Sequence, residues 1–186
     1  MQHRKRQITL KQRMGLCLAA FFAAFAMQLT LNGYQSRAVQ AVQDAQMGCF
    51  NAISRFQGGV ESSISILEAY RWENGETEEM LEKLQAACST SNAWLWRIRS
   101  NMDGLQNVSD EQWVLYGAVE TTYGSYNTLL EELESYLSSG QEAKASQLYY
   151  NKVSVCGGYL SQYTMQLLKA SILDAQTTYT EISELG

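Results

Sequence analysis

The residues able to do chemistry in this chain are few and poorly grouped for it. The only histidine is His3, and the four cysteines, Cys17, Cys49, Cys88 and Cys156, form no C-x-x-C pair. Without a histidine in its body the chain lacks His-based general bases, Ser-His and Cys-His nucleophile pairs and histidine metal ligands. The acid clusters Glu76, Glu78, Glu79 and Glu131, Glu132, Glu134 fall at helix ends or on exposed faces. They read as solvated surface, placed favourably for the helix dipole where a helix begins. Gly58-Gly59 and Gly157-Gly158 lie inside helical pattern and follow no strand, so neither is a phosphate loop. Asn107-Val108-Ser109 matches a glycosylation acceptor pattern by chance. The expectation is a protein without catalytic residues, metal or cofactor.

What remains is a set of small, hydroxyl and thiol residues whose value depends on the elements carrying them. Proline is absent from all 186 residues, which favours long uninterrupted helices because loops and strand edges use it freely. Breaks are sparse: Glu73-Asn74-Gly75 before Thr77, Met102-Asp103-Gly104 running on to Ser109, and Ser138-Ser139-Gly140. Acidic residues follow Thr77, and Ser109-Asp110-Glu111-Gln112 resembles a capping box. Four helices are predicted, at about 35–73, 77–102, 110–138 and 141–184.

Each carries an apolar seam alternating three and four residues apart. The first runs Val42, Gln46, Cys49, Ile53, Phe56, Val60, Ser63, Leu67, Tyr70, and the second Leu81, Leu84, Cys88, Ser91, Leu95, Ile98, Met102. The third runs Tyr116, Val119, Tyr123, Tyr126, Leu130, Leu133, Leu137, and the fourth Tyr149, Val153, Cys156, Leu160, Tyr163, Leu167, Ala170. Four such seams joined by short loops predict an all-α, antiparallel up-down-up-down four-helix bundle over residues 35–186.

Counting helical rise from the turns at Asn74-Gly75 and Ser139-Gly140 brings several of these residues to one level. Gly58-Gly59 and Ser63 of helix one lie about 16–24 Å from the turns. Cys88 and Ser91, Tyr123 and Tyr126, and Cys156 with Gly157-Gly158 lie about 20–27 Å from them. Two readings compete for this layer. In one, glycines and small residues complement bulky tyrosines and admit close helix approach. In the other, Ser63, Cys88, Ser91, Tyr123, Tyr126 and Cys156 line a mid-bundle pocket in which a small ligand hydrogen-bonds between helices. The three body cysteines are expected to be free thiols. Trp94 and Trp96 with Arg97 and Arg99, joined by Trp113, are expected to cap one end of the bundle by guanidinium–indole stacking. Trp72 and Tyr70 at the other end could serve a partner surface.

Charge is divided sharply. Up to Arg37 there are six basic residues and no acid, whereas from Ala38 onward eight basic residues face nineteen acidic ones, a net of −11. An acidic body argues against nucleic-acid partners. Residues 1–13 form a basic tail, and the apolar run from Met14 to Leu31 is interrupted only by Gln28 and Thr30 within its second half. This pattern predicts a transmembrane signal anchor over 14–34, with the tail cytoplasmic and the bundle outside. A signal peptide cleaved after Ala26, at Ala24-Phe25-Ala26, is the rival. Helices one and four are predicted longer than the middle pair, about 57 Å against 39 Å for helices one and two. A stalk of residues 35–47 with 172–184 would then join bundle and bilayer.

This layout, with the run Leu133-Glu134-Ser135-Tyr136-Leu137-Ser138-Ser139-Gly140-Gln141-Glu142-Ala143-Lys144-Ala145 at the third turn, resembles the extracytoplasmic sensor region of bacterial sensor histidine kinases and methyl-accepting chemotaxis receptors. The resemblance implies a small-molecule ligand, a homodimer through helices one and four, and signalling by small displacements of helix four. It also implies a second span, a linker domain and a signalling module, none of which is in this chain. The alternative is a membrane-anchored structural or adaptor bundle that binds another envelope protein.

Overall fold

The computed structural model describes residues 10–70, 76–105 and 108–184, and within these most side chains before Val39, Tyr179 and those of 181–184 lie outside the described set. The chain is all-α. Its elements are α1 (Leu10–Ala69), α2 (Thr77–Gly104), α3 (Asp110–Ser138), α4 (Glu142–Leu148), a π-helical segment (Tyr149–Val153) and α5 (Ser154–Glu184). The chain divides into two units, 1–42 and 43–186. The first contains the beginning of α1. Among the described residues no helix is long and apolar enough to cross a membrane. The predicted span over 14–34 falls largely on residues whose side chains lie outside the described set, as do His3, Cys17, Trp72 and the Glu73-Asn74-Gly75 turn.

Within the second unit one apolar core runs through all the helices. The predicted seams are its backbone. Cys49, Ile53, Phe56, Val60, Ser63 and Leu67 of α1 are buried, and every predicted seam residue of α3 from Tyr116 to Leu137 is buried. In α2 the stripe starts at Met80, and Leu84, Ser91, Leu95, Ile98 and Met102 follow at helical spacing. Ala52 and Ala145 fill gaps between larger side chains and are likewise buried.

The helix ends show how the sequence sets them. Gly140 takes φ +70°, a conformation glycine adopts without penalty. Its N–H donates to Leu137 O at 3.0 Å and that of Gln141 to Tyr136 O at 2.8 Å. These two bonds are the Schellman closure of α3. At the start of α3, Ser109 Oγ accepts from the Gln112 N–H at 3.3 Å. The reciprocal half of the predicted capping box is absent, because the Gln112 side chain turns inward and donates to Ser171 Oγ at 3.0 Å. The Ser109 N–H instead donates to Asp174 Oδ2 of α5 at 3.2 Å. A local motif has become a tertiary one. Thr77 opens α2 as expected, with Glu78 and Glu79 in its first turn, but its hydroxyl engages Tyr70 Oη at 2.7 Å.

The last predicted helix departs from its pattern in the middle. At Tyr149–Val153 it widens into π geometry, closed by the Ser154 N–H reaching back five residues to Tyr149 O. The wider turn inserts one residue into the register. Beyond it the buried stripe falls on Gly157, Leu160, Thr164 and Leu167, while Cys156 and Tyr163, both on the predicted seam, are half-buried.

Candidate functional site

The small-residue layer is assembled from α1, α2, α3 and α5, and its hydroxyls are bonded within it. Ser63 Oγ donates to Val60 O at 2.7 Å and lies 3.0 Å from Tyr126 Oη. Ser91 Oγ donates to Ala87 O at 2.9 Å. Tyr123 Oη donates to Cys88 O at 2.8 Å, across from α3 to α2, and its ring meets Phe56 edge-on with centroids 5.2 Å apart. The Cys156 thiol points at Thr122 O, 3.7 Å away. One glycine of each pair accounts for the close approaches. A Cβ on Gly59 would fall on Ser91 Oγ, and one on Gly157 would sit 3.2 Å from Ile64 Cδ1 and 3.3 Å from Tyr126 Cε2. Gly58 and Gly158 face open space.

Of the six residues predicted to line a pocket, Ser63, Ser91 and Tyr126 are therefore packed into the core, and Cys156 stands half-buried against α3. The other two, Cys88 and Tyr123, reach a groove of about 290 Å³ between α2 and α3. Leu81, Leu84 and Leu130 supply its apolar lining together with those two residues. Gln85, Ser89 and Asn92 line it from α2, and Asn127, Glu131 and Glu134 from α3. Gln85 Nε2 donates to Glu134 Oε1 at 2.8 Å, tying the two helices together across the opening.

These polar residues were not legible as a site, since each sits one step off an apolar seam, where solvated side chains are the rule. The available signal was their joint spacing. Residues 85, 88 and 92 on α2 and 127, 131 and 134 on α3 repeat at three and four, so each set shares a face.

Electrostatics make the groove chemically quiet at neutral pH. Burial first, and then the Glu134 carboxylate, push the Cys88 thiol up to about 11. Burial pushes Tyr123 up to about 12 and raises Tyr126 and Cys156 as well. Each therefore keeps its proton. Cys49, Cys88 and Cys156 are all free thiols. Among the described residues no three His, Cys, Asp or Glu side chains are grouped to hold a metal ion.

The tryptophan–arginine cluster is only partly drawn together. The Arg97 guanidinium lies over the Trp94 ring at 4.5 Å, and Arg99 pairs with Glu120 at 3.7 Å. Trp113 packs edge-on against Tyr116, while Trp96 stands 69% exposed. At the other end Tyr70 is buried against Thr77 and offers little surface.

A second polar group lies where α1, α3 and α5 meet. Gln112 is 3% exposed and its Oε1 has no hydrogen-bond partner. Its Nε2 donates to Ser171 Oγ at 3.0 Å. Nothing in the spacing of Gln112 distinguished it from a capping residue.

Comparison with protein-family models, curated proteins and solved structures finds no match to this chain.

Proposed function

We propose that this chain is the extracytoplasmic, ligand-binding sensory region of a membrane signal-transduction receptor of the two-component sensor-kinase type. In this reading residues 14–34 are a signal anchor, residues 35–186 form an antiparallel up-down-up-down four-helix bundle, and catalysis resides elsewhere. The observation that carries the proposal is α1 itself. One helix runs without a break from Leu10 to Ala69. It carries both the base-flanked apolar run and the seam buried from Cys49 to Leu67, the continuity in sequence that an anchored sensory region requires. The groove between α2 and α3 supplies the ligand site, since bundle proteins commonly place such sites between helices.

The test has two arms. Protease accessibility and reporter fusions in membranes should place residues beyond Ala38 outside and residues 1–13 inside. A thermal-shift screen of small metabolites on the full chain in detergent should find a ligand whose effect disappears when Asn127→Trp fills the groove. A chain recovered wholly in the cytosol overturns the anchor. A screen without hits, combined with stable capture of an envelope protein, would favour the adaptor reading.

A further inference from the structure

The groove lining is lopsided in charge. It holds two carboxylates, Glu131 and Glu134, and no lysine or arginine. The nearest basic residue in sequence, Lys83, lies outside the lining and pairs with Glu79 on its own helix. The side-chain amides of Asn92 and Asn127 add polar lining able to accept hydrogen bonds, while Leu81, Leu84 and Leu130 present hydrocarbon beside them. The Gln85–Glu134 bond holds one carboxylate in place across the opening, so a ligand meets an oriented charge and loses less side-chain freedom on binding. The long-range field of a body carrying −11 draws in cations and repels anions. At about 290 Å³ the groove stands at the small end of the range typical of small-molecule sites.

From this combination we infer that the α2–α3 groove binds a small aliphatic amine in its protonated form. The ammonium sits between Glu131 and Glu134, with its remaining protons directed to side-chain amide oxygens. The hydrocarbon tail lies on the three leucines. An anion would be repelled by both carboxylates, and a sugar would leave the leucines uncovered. A neutral alcohol of equal length would leave the carboxylates without a charged donor. The inference rests on the groove being the sensory site and adds the chemical class of its ligand.

The experiment uses the full chain in nanodiscs and compares n-pentylamine, pentanol and pentanoate at pH 7 by isothermal titration calorimetry. Saturable binding is expected for pentylamine only. Neutralising both carboxylates (Glu131→Gln with Glu134→Gln) should weaken it by about tenfold or more, because charge-assisted hydrogen bonds contribute more than neutral ones. Asn127→Trp should abolish it. Circular dichroism melts establish that the variants fold, and Gln85→Ala, which frees Glu134 without changing the groove's charge, should weaken binding less than the double variant. Equal binding of amine and alcohol, unchanged amine affinity in the double variant, or no saturable amine binding would each overturn the inference. Pentanoate, or another class from the metabolite screen, binding in an Asn127-sensitive way would also overturn it while leaving the sensory reading intact.

Discussion

Tyr126 and Ser63 face each other across the core with their hydroxyl oxygens 3.0 Å apart, and both side chains are almost wholly removed from solvent. The Ser63 hydroxyl also reaches Val60 O, so the pair anchors α3 to α1 at the level where the glycines let neighbouring helices close in. Ser63 keeps its bond to Val60 O when Tyr126 is changed, whereas Ser63→Ala strands the buried Tyr126 hydroxyl. Tyr126→Phe should cost about 0.5–1.5 kcal/mol, one lost bond, and Ser63→Ala about 1–3 kcal/mol. The double variant should cost clearly less than the two added together. Urea unfolding of the four proteins of this cycle, followed by circular dichroism, measures the coupling. Strict additivity would mean the two hydroxyls do not depend on each other.

The four glycines of the two pairs divide into opposite classes. Gly58→Ala and Gly158→Ala add a methyl into open space and should stabilise by roughly 0.5–1 kcal/mol, the helix-propensity gain. Gly59→Ala should destabilise, since the Ser91 hydroxyl would have to leave the Ala87 carbonyl to make room. Gly157→Ala presses on Ile64 and on Tyr126, which is already fixed by Ser63. A cost of about 1–3 kcal/mol is expected for such overpacking. Melting temperatures of the four single variants decide the matter, and the prediction is one of sign.

Gln112 carries an uncompensated cost. Its buried Oε1 lacks a donor, a deficit of about 1–3 kcal/mol. Gln112→Leu removes that acceptor at a loss of one bond to Ser171, and is expected to leave stability unchanged or raise it. Ser109→Ala, by contrast, removes the cap of α3 and should cost about 1 kcal/mol. Chemical denaturation of the two variants side by side checks the contrast.

Stability should fall on the alkaline side. Burial holds Cys49 and Cys88 up to about 11, and Tyr116 and Tyr123 up to about 12. Each is raised above its ordinary value of 9 or 10, so the folded chain retains protons that the unfolded chain has released. Their contribution is complete below about pH 9 and is lost progressively as the pH climbs through 11. The melting temperature should be flat from pH 7 to 8.5 and then drop by about 5 °C or more by pH 11, the equivalent of about 2 kcal/mol for a chain this size. Cys49 should also resist alkylation at pH 8 until denaturant is added.

The π segment makes a prediction about chain length. Since it carries one residue more than an α-helix over the same path, deleting exposed Lys152 should convert it to α-helix and keep both flanking stripes in register. Deleting Thr128 from regular α3 would rotate every later residue by about 100°. The Lys152 deletion should therefore melt far closer to the parent chain than the Thr128 deletion. Comparable losses in the two would argue against the extra residue being absorbed at this point.

Much of the core was readable from spacing. The α3 seam from Tyr116 to Leu137 is buried without exception, because a straight α-helix with no break in its bonding obeys its own period. The seam of the last helix was readable at Tyr149, Val153, Leu160, Leu167 and Ala170, and missed only at Cys156 and Tyr163, which are half-buried. Whether a turn closes through four or five residues depends on what Tyr149 and Val153 pack against, and that is not encoded in local preference. Gly157 and Thr164 consequently took the places expected for Cys156 and Tyr163. The candidate pocket divided for a similar reason. Helical rise placed its six residues at one height, but height does not give azimuth, and only Cys88 and Tyr123 face the groove. Its carboxylates and amides looked like solvated surface because each lies beside a seam, and the opening exists only once two such flanks are set next to each other.

By itself the sequence determined that this protein is helical, where α2 and α3 start and stop to within a few residues, and which faces of α1, α2 and α3 turn inward. It did so because helix formation and burial depend on residues three or four apart. Tertiary structure alone decided which polar groups would meet. Ser109 found its second cap partner in Asp174, Ser63 found Tyr126, and Gln112 was left with an orphaned oxygen. Such encounters join residues about sixty positions apart, and their geometry follows from how close neighbouring helices can come, here set by single glycines at 59 and 157.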